Sequence, residues 1–411
     1  MSRSRIQIGL EIGTSKVCAV VGQVKSDGGI RILGLGTIPS RGVIKGEVCR
    51  ADQAAECVYN AVRLAEDQAD VTIGSVYLSV TGSEIRGVNH RGFVCLPDER
   101  SEIAGEDVAE IKRIAEKVQL PKGNVILHTI IRRFYVDGQE GVEDPVGRMG
   151  RQLEADYHVI QGVESRVRNV IRFVQEIPLD VDDIVFAPLA ASQVLVSLEE
   201  KRQGTLVLDL GAGTTDYLLY DQGSVAQSGS IGLGGDHLNN DISMVMKLPR
   251  KLAEQLKIRH GNALWNPARA GERVVIEDKS ALHGRLIELE ELHSIISLRM
   301  REILEQVKRP LALSGYLQRV GSGVVLTGGG SLLPGIPELV QEVFGLPVLK
   351  RPPVPVNGTL EVARDPRFST AIGLIRFAQL QDQFRPNESI LGRFWGSIGN
   401  LFSATRSGSS F

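Results

Sequence analysis

The sequence lacks the features that mark several large classes of protein. Its four cysteines, Cys18, Cys49, Cys57 and Cys95, form no Cys-x-x-Cys pair and lie in or near apolar stretches. We therefore expect reduced structural thiols rather than a metal or redox centre. No apolar run approaches the roughly 18 residues of a membrane-spanning helix. A net charge of −2 gives no bulk attraction for nucleic acid, so nucleic-acid binding is not expected.

What remains is ordinary globular composition, with 42% hydrophobic and 23% charged residues. A chain of 411 residues is too long for one compact core, so we expect two to four domains. Residues 1–5 run directly into a predicted strand and leave no room for an apolar signal region. We expect the protein to stay in the cytoplasm, and any membrane contact to be peripheral.

Three apolar strands each lead directly into a turn of glycine and hydroxyl residues, in segments 8–16, 207–216 and 324–331. Glycines let the backbone turn tightly and bring successive N–H groups against an anion, while hydroxyls and a lysine donate to phosphate oxygens. One such turn is weak evidence, but an acid-x-Gly-x-Thr/Ser pattern occurs twice, at positions 11 and 209, 198 apart. The turns predict a nucleotide site split between two related halves, with the binding residues Gly13, Thr14, Ser15, Lys16, Asp209, Gly211, Gly213, Thr214, Thr215, Asp216, Gly328, Gly329, Gly330 and Ser331.

Two of the turns carry an acidic residue on the preceding strand, Glu11 and Asp209. Carboxylates in that position are suited to holding Mg²⁺, usually through its waters. We therefore assign both residues to a metal site.

The three turns and their order resemble the actin-like ATPase superfamily, in which the first two turns grip the phosphates and the third supports the adenosine. The resemblance narrows to the FtsA family of bacterial cell-division proteins and extends over nearly the whole chain. It rests on residues 9–16, 209–216, 232–236, 253–257 and 325–337. It implies an α/β, actin-like two-domain fold with a central cleft that binds ATP and Mg²⁺, an FtsA-type inserted subdomain 1C and a C-terminal amphipathic helix.

The change in periodicity along the chain, placed on that family's plan, predicts the domain organisation. Residues 84–162 carry no phosphate-type turn and look like an insertion that serves contacts, with a Gly/Pro-rich loop at 138–150. The predicted division is 1–83 and 163–203 for subdomain 1A, 84–162 for 1C, 204–236 and 315–378 for 2A, 237–314 for 2B, 379–388 for a linker and 389–403 for the amphipathic helix.

Two helices are expected to complete the cleft. The first begins at Gly234, Gly235 and Asp236, where free N-terminal N–H groups could face the nucleotide. On the second, Glu254 and Lys257 are three residues apart, and the resemblance places them at the ribose and base. The alternative for this pair is a solvated ion pair on the helix surface.

Two departures from the superfamily bear on turnover. Glu11 stands where relatives usually carry aspartate, which leaves the effect on metal binding open. Ala187, in the segment 186–190, stands beside a proline where filament and chaperone relatives tend to place Glu or Gln to orient the attacking water. Alanine can neither accept a proton nor align a water. We therefore predict no catalytic residue and slow or negligible ATP hydrolysis.

Segment 389–403 has the pattern of an amphipathic helix. With a period of about 3.6 residues, its large apolar side chains fall on one continuous arc. Trp and Phe on that arc and a polar tether before it favour an interfacial membrane helix, as FtsA-like proteins carry at this place. The alternative is a helix docked on the protein's own core. The arc consists of Ile390, Leu391, Phe394, Trp395, Ile398, Leu401 and Phe402.

The resemblance implies a peripheral protein on the cytoplasmic face of the cell membrane, at the division site. It would self-associate into filaments, contact other division proteins and tether the tubulin-like protein FtsZ to the membrane. The run 297–304 resembles a segment of the family's FtsZ-docking surface, and Arg299 could pair with an acidic partner tail; a solvated helix face is the alternative. Two other functions stay open: a type IV pilus assembly scaffold and a small-molecule kinase of the same superfamily.

Overall fold

The turns at Gly13 and Gly211 each join two antiparallel strands, and each strand pair lies in the interior of a β-sheet, with further strands on both sides. The computed structural model describes residues 6–25, 29–97, 102–265, 267–276, 284–349, 356–357 and 364–384. The predicted membrane helix, 389–403, and residues 385–388 of the predicted linker lie outside these residues. The prediction of a linker at 379–384 is wrong, because these residues continue the last helix that the structure describes. Among the residues described, no helix combines the length and apolarity needed to cross a membrane.

The strands, in chain order, are β1 (Ile6–Ile12), β2 (Lys16–Val24), β3 (Ile30–Pro39), β4 (Val43–Ile44), β5 (Glu47–Val48), β6 (Ser75–Val80), β7 (Arg86–Cys95), β8 (Asn124–Val136), β9 (Gln139–Val142), β10 (Gln152–Val163), β11 (Asp180–Phe186), β12 (Thr205–Leu210), β13 (Thr215–Asp221), β14 (Ser224–Ile231), β15 (Arg273–Val275), β16 (Leu286–Glu288), β17 (Gly323–Thr327), β18 (Val348–Leu349) and β19 (Val356–Asn357). The helices are α1 (Ala51–Ala69), α2 (Gly105–Glu116), α3 (Glu164–Glu176), α4 (Ala187–Leu195), α5 (Leu198–Gln203), α6 (Gly235–Val245), α7 (Arg250–His260), α8 (Leu289–Leu313), α9 (Ile336–Phe344) and α10 (Ser369–Phe384).

The two large sheets divide the chain into two halves. The first has the order β11-β6-β1-β2-β3-β19, and the second has the order β18-β17-β12-β13-β14-β7-β10-β8-β9. In each, the strand before the glycine turn pairs antiparallel with the strand after it and parallel with a strand on its other side. This shared plan is the repeat that the sequence predicts.

The inserted segment extends the second sheet rather than the first. Its strand β7 joins β14 through a single residue pair, Arg86 opposite Gly229, with a backbone hydrogen bond from Ser230 N to Ile85 O at 3.2 Å beside it. The predicted loop at 138–150 contains strand β9, which pairs with β8. Asp137 and Gly138 form the connecting turn, both with positive φ; an Asp-Gly pair is a strong hairpin signal that the sequence analysis overlooked.

Helix α10 packs against the first-half sheet, although it follows the second half in the chain. A Cβ at Gly9 on β1 would overlap the Ala371 carbonyl oxygen, and one at Gly373 would overlap the Ala190 carbonyl oxygen on α4. These close backbone approaches require glycine. Buried residues of α10 join one apolar cluster with Leu10, and that cluster also includes Val207 of the second sheet. The core therefore continues across the boundary between the halves.

Candidate functional site

The first two glycine turns have the same geometry. Gly13 N donates to Lys16 O at 2.9 Å, and Gly211 N donates to Thr214 O at 3.0 Å. The paired positions are again 198 residues apart, as Glu11 and Asp209 are. The sequence repeat is thus a repeat of backbone conformation.

The two turns lie directly opposite each other. A Cβ at Gly213 would overlap Thr14 Oγ1 and come within 2.7 Å of Lys45 Cα, so only glycine fits there. Thr14 Oγ1 also accepts a hydrogen bond from Gly46 N at 3.0 Å. Hydroxyls and glycine backbone from both halves therefore meet at one place, the arrangement that suits an anion with several oxygens.

A cleft of about 330 Å³ lies between the halves, at the lower end of the range for small-molecule sites. Most of the residues predicted from the sequence line it. They are Glu11, Gly13, Thr14, Ser15, Lys16, Asp209, Gly211, Gly213, Thr214, Asp216, Gly235, Asp236, Glu254, Lys257, Gly328, Gly329 and Gly330.

Three predicted residues do not line the cleft. The Thr215 hydroxyl is buried and donates to Leu233 O at 2.9 Å. The Ser331 hydroxyl donates to Gly328 O at 2.7 Å. Gly234 packs against the Gly211 and Ala212 carbonyl oxygens. These residues shape the turns, because their side chains or backbone contact carbonyl oxygens of the protein itself.

The expectation of free N–H groups at the start of α6 is wrong. Gly235 N donates to Gly211 O at 3.0 Å and Asp236 N donates to Ala212 O at 2.8 Å, while Gly234 N donates to His237 Nδ1 at 3.2 Å. The amides of Gly235 and Asp236 tie α6 to the second glycine turn, so they fix the turn instead of facing a ligand.

Lys257 and Glu254 both reach the cleft from α7. The Lys257 ammonium donates to Gly235 O at 3.2 Å, which places it beside the start of α6. Burial lowers the pKa of Lys257, against the opposing effect of Glu254.

Negative charge is concentrated at the back of the cleft. Burial, with Asp216 and Glu11 nearby, raises the pKa of Asp209 to about 7. Burial also raises the pKa of Asp216 to about 6, although Thr81 and Thr214 donate hydrogen bonds to it. Burial disfavours ionisation of Asp209 and Asp216, and the neighbouring carboxylates add to this effect at Asp209. A cation bound beside them would offset the negative charge and is therefore favoured.

The residues fit a divalent cation bound mainly through water and phosphate. The available donors are carboxylate and hydroxyl oxygens, the ligands that Mg²⁺ prefers. Within the described ranges, no three His, Cys, Asp or Glu side chains are grouped to bind a metal. Glu11 pairs with the Lys16 ammonium at 2.7 Å. Burial acts to lower the pKa of Lys16, but Glu11, Cys18 and Asp209 together raise it. Asp209 is therefore the carboxylate better placed to hold the ion.

The sequence analysis missed several residues of the cleft. Thr81, at the end of β6, donates to Asp216 at 2.7 Å and lies 3.1 Å from Thr214 Oγ1, so it links the two halves. The sequence signal for this residue is a hydroxyl side chain, Thr81, followed by a glycine directly after a buried strand. The other missed residues are Ile12, Ser79, Ala212 and Arg367, with an apolar rim of Leu238, Ile258, Met300, Leu332, Leu333 and Pro334.

Two further predicted residues have clear positions. Ala187 lines the cleft at the start of α4, so no carboxylate or amide stands at that point. Arg299 on α8 makes a bidentate pair with Asp241 of α6, at 2.5 and 3.1 Å, and contacts Glu302 at 2.5 Å.

Comparison with known proteins gives consistent matches. Residues 206–373 match the family model described as cell division protein FtsA, and residues 82–161 match the SHS2 domain inserted in FtsA. The chain is 37% identical over 385 residues to the cell division protein FtsA of Borreliella burgdorferi, covering 93% of each. It is 34% identical over 390 residues to that of Pseudomonas aeruginosa, covering 95% of this chain and 93% of the other.

Solved structures confirm the actin-like two-domain α/β fold. The chain in the PilM-PilN type IV pilus biogenesis complex has a TM-score of 0.64 at 18% identity, covering 90% of this chain and 97% of that one. MreB5 of Spiroplasma citri bound to ADP has a TM-score of 0.55 at 16% identity, covering 93% and 99%. At these identities the likeness concerns the fold alone.

Proposed function

The chain belongs to the FtsA family of cell division proteins, and on that basis we propose that it binds ATP with Mg²⁺ in the cleft and tethers the FtsZ ring to the cytoplasmic membrane. The observation that carries the nucleotide assignment is the pair of identical glycine turns that face each other across the cleft. Lys16 and the hydroxyls of Thr14, Ser15 and Thr214 line the same space, where they would contact phosphate oxygens.

Each cleft residue has a task in this proposal. Asp209, assisted by Glu11, would hold the ion through its waters, and the ion would neutralise phosphate charge. The third turn, at Gly328, Gly329 and Gly330, would support the adenosine together with Glu254, Lys257 and the apolar rim. The cleft residues would thus bind and orient the nucleotide between the two halves.

We expect slow or negligible hydrolysis. Ala187 lines the cleft where the superfamily tends to place a group that orients water. The methyl group of alanine can neither orient a water molecule nor accept a proton. The nucleotide would then act as a switch for closure and assembly.

The membrane and partner contacts complete the proposal. The predicted helix 389–403 would insert its apolar arc in the membrane interface, and filaments of the protein would present many such helices together. The protein would then be peripheral on the cytoplasmic face of the membrane at the division site, among other division proteins. The predicted division into subdomains 1A, 1C, 2A and 2B remains part of this proposal.

Arg299 is proposed as a contact for an acidic partner tail, but it is also held by Asp241 and Glu302. Charge reversal at Arg299 would disturb that internal pairing, so the test uses Arg299→Gln. Asp241→Asn, which removes the internal partner's charge, is the control. Together the two variants separate binding of the partner tail from pairing within the protein. Affinity for an FtsZ tail peptide should fall in Arg299→Gln and hold in Asp241→Asn. Equal affinity in Arg299→Gln and wild type would place the contact elsewhere.

Neither alternative function has a specific observation in its favour. A kinase needs a general-base aspartate aimed at a substrate hydroxyl, and we assign no residue to that role. The pilus protein is similar in fold at 18% identity, whereas the relatives at 37% and 34% identity are FtsA proteins.

Co-sedimentation with liposomes, with and without ATP and purified FtsZ, tests the proposed function. The protein should pellet with liposomes, and FtsZ should enter the pellet only when both the protein and liposomes are present. The amount of FtsZ in the pellet should increase with ATP. Failure to recruit FtsZ to liposomes under any of these conditions would reject the tether.

A further inference from the structure

A hydroxyl of α10 contacts the carboxylate that we assign to the metal ion. Thr370 Oγ1 donates to Asp209 Oδ2 at 3.2 Å. The Thr370 side chain is 4% exposed. Asp209 lies on β12 of the second sheet, whereas Thr370 lies in the first turn of a helix packed on the first sheet. The hydrogen bond therefore joins the two halves behind the cleft.

The helix that carries Thr370 is held firmly to the first half. At Gly9 and Gly373 the backbone of α10 approaches β1 and α4 so closely that a Cβ would overlap a carbonyl oxygen. Thr370 therefore lies where a helix packed on the first half reaches the second half, and a rotation that opens the cleft would act on its hydrogen bond to Asp209.

The other side of the Asp209 carboxylate is also fixed. Gly328 has φ of +79°, and a Cβ there would overlap Asp209 Oδ1. The start of α10 is tied to this third turn, because Thr327 Oγ1 and Gly328 N donate to Pro366 O at 3.0 and 3.2 Å. One oxygen of Asp209 thus packs against the third turn while the other accepts from Thr370.

We propose that Thr370 is a positioning residue that orients Asp209 for the divalent cation and couples occupation of the metal site to closure of the cleft. This rests on the proposed binding of Mg²⁺ and nucleotide. A hydrogen bond to a metal-holding carboxylate fixes its orientation, and loss of such a partner typically reduces metal affinity about 10- to 100-fold. Because α10 packs on the first half and Asp209 lies in the second, the same bond favours the closed arrangement when Asp209 is held by the ion.

The test uses the full-length protein and calorimetric titration of ATP, with Mg²⁺ and with EDTA. Thr370→Val keeps the shape of the side chain and removes the donor, and Thr370→Ser keeps the donor. Thr205→Val is the control for a buried threonine, because Thr205 is 0% exposed and donates to the Glu200 carbonyl, away from the cleft. In Thr370→Val the gain in ATP affinity due to Mg²⁺ should fall by about 10-fold or more. Affinity in EDTA should stay within about twofold, and Thr370→Ser should recover most of the gain.

Hydrogen exchange gives a second measurement. Mg²⁺ and ATP should slow exchange of the α10 amides in wild type and in Thr370→Ser, and do so far less in Thr370→Val. An undiminished Mg²⁺ effect in Thr370→Val, an equal loss with and without Mg²⁺, or no recovery in Thr370→Ser would overturn the role of Thr370. No binding of ATP with Mg²⁺ by the wild type would reject the proposed function itself and this inference with it.

Discussion

At the scale of single residues, the three glycines of the third turn differ sharply in what surrounds them. A Cβ at Gly328 or Gly330 would overlap Asp209 or Leu210, whereas a Cβ at Gly329 meets nothing within 4 Å. Gly329 also lines the cleft. The space beside it is therefore where a ligand can approach the backbone.

Gly329→Val should reduce ATP affinity about tenfold or more while leaving the unfolding temperature nearly unchanged. The added Cβ meets no protein atom within 4 Å, so the side chain should occupy space beside the backbone that the nucleotide needs. Calorimetry with Gly329→Ala as an intermediate and Gly328→Ala as a destabilised control checks this. Wild-type affinity in Gly329→Val would remove the third turn from the nucleotide site.

Asp209 should give the metal-free protein a characteristic pH dependence. Its pKa is raised to about 7 in the folded state, by burial and by Asp216 and Glu11. The folded protein then holds the proton more tightly than the unfolded chain, so stability falls as pH rises from about 4 to 7. The side chain introduced by Asp209→Asn cannot ionise, so the free energy of unfolding of this variant should exceed that of wild type by about 1 to 4 kcal/mol at pH 8. The difference should disappear as the pH falls below about 5.

Urea unfolding in EDTA at pH 5 and pH 8 measures this difference. Added Mg²⁺ with ATP should reverse it, because the ion stabilises ionised Asp209 in wild type and finds no carboxylate in Asp209→Asn. Parallel pH profiles for the two proteins would mean that Asp209 ionises normally.

At the scale of elements, polar side chains reinforce the short backbone junction between the inserted segment and the second half. His158 on β10 is 1% exposed and lies between Asn89 Oδ1 and Ser228 Oγ, each at 2.7 Å. Since the amide oxygen of Asn89 accepts, the ring proton is assigned to Nδ1, and Nε2 accepts from Ser228. A Cβ at Gly87 would overlap both His158 and Ser228, which explains the glycine.

This seam should weaken in acid. Burial, with Arg132 nearby, lowers the pKa of His158 to about 3. The unfolded chain therefore takes up the proton first, and the stability from neutral His158 is lost as pH falls below about 6.5. Between pH 6.5 and 5 the loss should approach about 2 kcal/mol.

His158→Gln should flatten this acid dependence, even if it lowers stability at pH 7.5. Unfolding midpoints at pH 7.5 and pH 5 measure the effect. His128, whose pKa burial lowers to about 4, lies elsewhere in the core and serves as a matched comparison in His128→Gln. An acid response in His158→Gln equal to that of wild type would show that His158 does not titrate as a buried neutral group.

At the scale of the whole molecule, membrane attachment should depend on assembly. A buried large apolar side chain contributes roughly 1.5 to 3 kcal/mol, but interfacial insertion is partial and the glycines of segment 389–403 raise the cost of ordering the helix. Arg393 and Arg406 add about 1 kcal/mol each at an anionic surface. One copy should bind weakly, and a filament should gain orders of magnitude through avidity.

Trp395→Glu should abolish recruitment to liposomes while ATP binding and the unfolding temperature stay as in wild type. Trp395→Phe, which keeps an aromatic ring on the arc, should retain most of the recruitment to liposomes. Co-sedimentation under conditions that promote or suppress filaments measures both effects. Undiminished binding by Trp395→Glu, or equal binding by assembled and unassembled wild type, would contradict this account.

The sequence by itself determined the nucleotide turns and the plan of two related halves. A turn such as 11–16 or 209–214 depends on glycines and hydroxyls within a few positions, so its backbone conformation is encoded locally. The repeat at a spacing of 198 then predicts two facing copies, and the cleft residues follow from it. Glu254 and Lys257 were reached from the family resemblance rather than from their spacing.

Only the tertiary structure decided how distant segments meet at the cleft. The hydroxyls of Thr81 and Thr370 contact Asp216 and Asp209 because packing brings β6 and α10 there. The sequence around Thr81 marks a turn after a strand, but it does not specify which residue the hydroxyl contacts. The amides at the start of α6 looked free in sequence, yet the second turn supplies their acceptors. Such contacts depend on the close fit of whole elements, including glycines that admit a neighbouring backbone, and that fit is a property of the assembled core.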